Sequence, residues 1–185
     1  KEILRNVSKL GCGASEFDHS DIRDDRYLYQ IPIKPAECGL EPVMDNLAGY
    51  DCVEVPPEEY VHVTLADAGR EKPNGDPIEP SAPKGLELGI GPVNRFNQVV
   101  FAEVHEADSN LDILHRYLND EFDLPDQNHP QYIPHATVAH ITDGGVDELD
   151  AYIRDTRQWA EEEPPFIGTC TVTNFELTRY LPDKT

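Results

Sequence analysis

Tyr60-Val61-His62-Val63-Thr64-Leu65-Ala66 returns later in the chain as Ile133-Pro134-His135-Ala136-Thr137-Val138-Ala139, with His135 lying 73 residues after His62. Both copies read His, small or branched apolar, Thr, aliphatic, Ala. Successive side chains of a β-strand point to opposite faces, so each copy sets an imidazole and a hydroxyl side by side on one face. In the first copy Val61, Val63 and Leu65 go to the other face, where they can join a core. Two such strands laid next to each other offer two histidines and two threonines to one cleft, a site suited to a phosphate.

One H-x-T is weak evidence. The chain has seven histidines, and His140-Ile141-Thr142 matches the three letters by itself. The shared longer pattern and the strand-like setting of both copies carry the signal. Asp143 follows the third match, and the odd offset from His135 turns His140 to the opposite strand face. The bland alternative is two unrelated strands whose His and Thr face solvent.

With these motifs the sequence resembles the 2H phosphoesterases, which include the 2′-5′ RNA ligase-like proteins and cyclic nucleotide phosphodiesterases. His62-Val63-Thr64-Leu65 and Pro134-His135-Ala136-Thr137-Val138-Ala139 carry the resemblance. Gly91-Pro92-Val93-Asn94-Arg95-Phe96, leading into Val99–Val104, and a helix from Leu111 to Phe122 before the second motif agree with the family order. The likeness runs from about Tyr27 to Tyr180. It implies an α+β fold of two similar halves, whose antiparallel sheets form a central cleft with helices outside. It also implies His62, Thr64, His135 and Thr137 as catalytic residues. By resemblance His135 activates water and His62 protonates the leaving 2′ or 3′ oxygen; the two motifs are symmetric enough that the roles can be reversed.

The chemistry of the residues agrees. An imidazole titrates near ~6.5, so one can serve as base and the other as acid at neutral pH. Threonine hydroxyls can donate to the non-bridging oxygens as charge builds there. This scheme demands no metal and no cofactor. Arg95 is the best further candidate for substrate contact, because a guanidinium matches phosphate oxygens in pairs; its bland reading is a solvated turn residue. Tyr132 precedes the second motif and can stack on a base or pack in the core. His19, His105, His115 and His129 have no partner pattern, and His115 reads most simply as a surface residue.

Composition narrows the partners. The formal charge of −21, from 15 basic and 36 acidic residues, lies far outside the magnitude of ~2–8 usual for a small domain. Spread along the chain, the excess reads as adaptation to high salt, where self-repulsion is screened; an ordinary acidic cytosolic protein is the alternative. Duplex DNA is a poor partner for such a surface, while a nucleotide or short RNA held in a cleft remains compatible. Cys12, Cys38, Cys52 and Cys170 form no C-x-x-C pair and read as free thiols in a reducing, cytoplasmic setting. A zinc site from Cys12, His19, Cys38 and Cys52 fits no zinc spacing. No run approaches the ~18 apolar residues of a membrane span, no secretory start is present, and no heptad run argues against a monomer. The chain begins with Lys1, as a piece of something longer would.

Along the chain, residues 1–25 read as an N-terminal arm or added element and 26–185 as one two-lobed domain. Tyr27, Tyr29, Ile31 and Ile33 alternate as a strand, and Leu40, Val43, Met44 and Leu47 fall at helical spacing. Residues 67–84, with four prolines, read as a loop. Val99–Ala102 is apolar on both faces, as in the middle of a sheet. Asp108 or Ser109 can cap the helix of Leu111, Leu114, Leu118 and Phe122. Val146, Leu149, Ile153 and Ala160 mark a last helix, and a parity change near Asn174 predicts a bulge or turn in the final β segment.

The leading reading is a metal-independent phosphodiesterase for 2′,3′-cyclic or 2′-5′ linkages in RNA ends, nucleotides or oligonucleotides. One alternative keeps the site and takes a cyclic nucleotide or oligonucleotide signal. Another is a non-catalytic nucleotide-binding module, which would need no pair of titratable groups.

Overall fold

The computed structural model describes residues 26–74, 85–122, 132–161, 166–172 and 174–180. The expected N-terminal arm and most of the proline-rich loop lie outside these. Eight strands form one antiparallel sheet: β1 (Arg26–Pro32), β2 (Val53–Glu54), β3 (His62–Gly69), β4 (Leu86–Phe96), β5 (Val99–His105), β6 (His135–Ile141), β7 (Gly168–Val172) and β8 (Glu176–Tyr180). Their order is β7-β4-β5-β6-β3-β1-β8, with β2 added on β6. The two H-x-T strands, β3 and β6, are therefore neighbours at its centre. β5, apolar on both faces, lies between β4 and β6 as its composition predicts.

The connection between β7 and β8 dictates the shape. In a flat sheet, strands about 4.8 Å apart would put these two edges about 29 Å from each other. Residues 173–175 alone join them, and the step from Val172 to Glu176 can reach at most about 15 Å. The sheet must curl until its two edges approach. The parity change near Asn174 marks this passage from one edge of the sheet to the other.

Helices cover the face away from the curl. They are α1 (Pro35–Cys38), α2 (Glu41–Leu47), α3 (Asn110–Phe122) and α4 (Asp147–Glu161). Leu111, Leu114 and Leu118 of α3 are buried, falling at the spacing that puts them on one helical face. With Leu149, Tyr152 and Ile153 of α4 they join Val63, Leu65, Ala136 and Val138 in one core. Each such side chain contributes about 1.5–3 kcal/mol, and Leu118→Ala would cost about 2–5 kcal/mol by leaving a cavity. The N-terminus of α3 is capped by neither Asp108 nor Ser109. The Glu106 carboxylate accepts from the Leu111 amide, and Ser109 takes a positive φ of 56°, which turns the chain into the helix.

β4 bends at Gly91, where φ is +98° and a Cβ would fall 2.7 Å from the Ile167 side chain. Only glycine fits both demands. Beyond this bend β4 continues to Phe96, with β5 between it and the second H-x-T strand.

Candidate active site

The register between the central strands builds the site. Val63 pairs with Ala136 in the antiparallel sense. Continued by one residue each way, this sets His62 opposite Thr137 and Thr64 opposite His135. Val63 and Ala136 are fully buried against the helices. The flanking His62, Thr64, His135 and Thr137 are half-buried on the other face. The two histidines are diagonal neighbours, a relation that separates Cβ atoms by about 7–8 Å in a sheet. That gap admits one tetrahedral phosphate between two imidazoles.

Both imidazoles are oriented in the same way. His62 Nδ1 lies 2.7 Å from the Tyr60 carbonyl oxygen, and His135 Nδ1 lies 2.9 Å from that of Ile133. A carbonyl only accepts, so each Nδ1 carries the proton, and Nε2 is left to take or give one. The bond runs to the residue two before the histidine in each copy, so the internal repeat includes the orienting contact. Burial holds the His62 imidazole below its ordinary value, against partial offsets from the Tyr60 carbonyl and the Glu176 carboxylate.

Phe101 and Phe96 flank His135, with edge-on ring centroids at 5.4 Å and 6.1 Å. Phe101 pairs with Thr137 on β6, and Phe96 follows it on the same face through its pairing with Val99. Phe96 is half-buried and leaves part of its ring to the site. Opposite His135 stands Glu103, 3% exposed, whose carboxylate accepts from Asn94 and meets His105. On the first side, Gln30 pairs with Thr64 and donates to Glu176. In the sequence Phe96 was only the end of the Gly91–Phe96 run leading into Val99–Val104; its facing followed once β4 extended through it.

Each half carries the same irregularity. On β3 the partners of Tyr29 and Gln30 are Ala66 and Thr64, which skips Leu65. On β6 the partners of Val100 and Phe101 are Ala139 and Thr137, which skips Val138. A bulge at the residue directly after each H-x-T threonine breaks the alternation. As a result Asp67 and His140, each five residues past its histidine, return to the site face. His140 pairs with Val99, on the same side of β5 as Phe101. The expectation that His140 points away from His135 assumed an unbroken strand and is corrected here.

Arg95 is not brought to the site. It pairs with Val100, on the helix-covered side, and makes a two-pronged contact with Asp150 of α4 at 2.5 Å and 2.9 Å. The bond to Asp150 raises the Arg95 pKa, and the same bond lowers that of Asp150. Tyr132 is close to the quartet but its ring is already stacked, face to face with His115 at 4.3 Å and 6°. Its hydroxyl donates to the Thr64 carbonyl at 2.8 Å. His115, read from sequence as a surface residue, is half-buried in this stack.

A separate depression of about 410 Å³ is lined by Tyr50, Cys52 and three carboxylates, Asp51, Asp143 and Glu148. None of the quartet lines it, and its charge repels phosphate. Cys38, Cys52 and Cys170 are free thiols. No helix among the described residues is long and apolar enough to cross a membrane.

An antiparallel curled sheet with outer helices is an architecture found among solved structures. The chain has the LigT fold. Among solved structures it is similar to a protein described as a phosphoesterase, at 17% identity over 84% of this chain and 87% of the other, with a TM-score of 0.57. It is similar to E. coli LigT in its apo form, at 16% identity over 84% and 94%, TM-score 0.52. The phosphate complex of E. coli LigT matches at 15% identity with the same coverage and a TM-score of 0.50. No family model matches the sequence, and no curated protein does. The resemblance carried by the two motifs is thus borne out at the level of fold.

Proposed function

We propose that the chain is a metal-independent phosphodiesterase that opens 2′,3′-cyclic or 2′-5′ linkages in nucleotides or short RNA ends. The observation that carries this reading is the register of β3 and β6, which gathers two Nδ1-anchored histidines and two threonines on one face. LigT, whose fold the chain shares, is described in complex with phosphate, which supports a phosphate-bearing ligand.

In the proposed reaction the Nε2 of one histidine removes a proton from water as the water attacks phosphorus. The Nε2 of the other protonates the departing ribose oxygen, and the P–O bond to that oxygen breaks. Thr64 and Thr137 donate to the non-bridging oxygens, where negative charge grows in the transition state. Burial disfavours the protonated form of His62, which favours His62 as the base, the reverse of the roles implied by resemblance. The exposed part of the Phe96 ring offers a face for a nucleobase, since base–aromatic stacking is worth about 1–3 kcal/mol.

The test is turnover of a panel of 2′,3′-cyclic nucleotides and 2′-5′ dinucleotides in the presence of EDTA. His62→Ala and His135→Ala are each expected to lower the rate by about 10²–10⁴. The double variant should lose much less than the product of the two, because groups acting as one unit are not additive. No turnover on the panel, or activity abolished by EDTA and restored by a divalent ion, would overturn the proposal.

A further inference from the structure

At the bulge of β3 two successive backbone carbonyls accept from side chains. Tyr132 Oη donates to the Thr64 oxygen at 2.8 Å, and His115 Nδ1 lies 2.6 Å from the Leu65 oxygen. The two rings that supply these donors lie flat on each other, 4.3 Å between centroids and 6° between planes. They come from different parts of the fold. His115 sits on α3, fixed by the buried Leu111, Leu114 and Leu118 around it. Tyr132 opens the segment that enters β6 three residues before His135.

The sheet links β3 to β6 only thinly at this place. β3 and β6 share a single bridging pair, Val63 with Ala136, and the bulge follows directly on the β1 side. β1 holds β3 at six paired positions, but against β6 a single pair leaves little in the ladder to fix the register of the two H-x-T strands. Yet His62 and Thr64 must meet the same phosphate as His135, and a misplacement of about 1 Å can cost about 10²-fold in rate. Something beyond the ladder has to fix β3 against β6. Tyr132 spans that gap directly, since its own backbone leads into His135 while its hydroxyl holds Thr64. Burial raises the Tyr132 pKa, with Glu106 and Asp112 adding to the effect, so the phenol stays protonated and remains a donor. Asn119, one turn on, donates to the His115 carbonyl at 2.7 Å and stiffens the helix turn that presents the imidazole.

We infer that the stacked pair His115–Tyr132 is a positioning clamp: it grips the Thr64 and Leu65 carbonyls and holds the first H-x-T strand in register with the second. Its effect on rate rests on the proposed phosphodiesterase reading; its effect on the strand does not. Neither residue touches substrate, so substrate affinity is set elsewhere.

Tyr132→Phe removes one donor and keeps the ring stack. It should lower kcat by about tenfold, the scale of one lost hydrogen bond, and leave KM within about twofold. His115→Leu removes the other donor and should do the same. His115→Asn places an amide N–H close to where Nδ1–H stood and should recover most of the lost kcat. Wild-type kcat in both Tyr132→Phe and His115→Leu would overturn the clamp. So would equal losses in the Leu and Asn variants at position 115, which would mean that packing alone is at stake. If the wild-type protein turns over nothing on the panel, the catalytic reading fails separately. The clamp is then decided by amide hydrogen exchange in the ligand-free protein. Tyr132→Phe should speed exchange at Val63 and Ala136 by about tenfold and leave β4 and β7 unchanged; unchanged exchange at the central pair would overturn it.

Discussion

His62 gives up water to stand on the inner face of the sheet, and its Nδ1 proton is committed to the Tyr60 carbonyl. Burial opposes the charged ring and lowers its pKa, whereas the unfolded chain titrates it near ~6.5. Between these two values the unfolded state binds more protons, so stability rises as pH climbs through that window and this contribution levels off above ~6.5. His62→Gln should flatten the slope of unfolding free energy below about pH 6.5, measured by urea unfolding at a series of pH values. A slope unchanged by the substitution would place the titrating group elsewhere. In ligand-free protein the His62 ring nitrogens should titrate below ~6.5 in an NMR experiment, and a midpoint above that value would remove the case for His62 as the base. Arg95 gives the contrasting prediction. Its guanidinium is bound to Asp150, with side-chain exposures of 29% and 37%. Solvent screening limits such a pair to about 1 kcal/mol or less. Arg95→Ala should therefore lower stability by that small amount and keep KM within about twofold. A KM raised tenfold or more would return Arg95 to the substrate.

At the scale of elements, what could be read from the sequence was whatever depends on period alone. The alternation in Tyr27–Ile33, the stripe Leu111-Leu114-Leu118 and the repeated His-x-Thr all survive as β1, α3 and the paired central strands. Two things broke that reading. The first is the bulge, which inserts a residue without leaving a mark in residue type: Leu65 and Val138 look like any other core positions. The second is long-range partnership, which decided that Arg95 meets a carboxylate of α4 and that Tyr132 meets His115. Neither spacing nor chemistry distinguishes a guanidinium bound for Asp150 from one bound for phosphate. The bulge reverses one expectation that can be measured. With an unbroken β6, His140→Ala should leave activity untouched; with His140 on the site face beside Phe101 and Thr137, it should raise KM by about tenfold, the loss of one polar contact. Kinetics of that variant decide between the two registers, because no change in KM would mean that the face does not reach the substrate.

For the whole molecule, charge is the property that neither the fold nor the site explains. The ion pairs among the described residues include Arg26 with Asp67, Lys34 with Glu37, Arg95 with Asp150, Arg116 with Asp112 and Arg157 with Glu103. They occupy basic residues, and with 36 acidic against 15 basic side chains pairing cannot balance the surface. The remaining carboxylates repel one another over a screening distance of about 10 Å at 0.1 M salt, which shrinks to about 3 Å at 1 M. Folding brings them closer together than the extended chain does, so added salt relieves the folded state more. The melting temperature should rise between 0.1 M and about 2 M KCl. A few kcal/mol of relieved repulsion corresponds to roughly 5–10 °C for a chain of this length. Salt also acts on apolar burial, so the rise must be shown to come from charge. Replacing exposed Glu41, Glu58 and Glu59 by Lys changes the formal charge by six and leaves the core and the site in place. The variant should melt higher than the wild type at 0.1 M and gain less from added KCl. Equal gains in both proteins would assign the effect to apolar burial, and a wild-type melting temperature that is flat or falls with salt would reject the reading of the acidic surface as an adaptation to it.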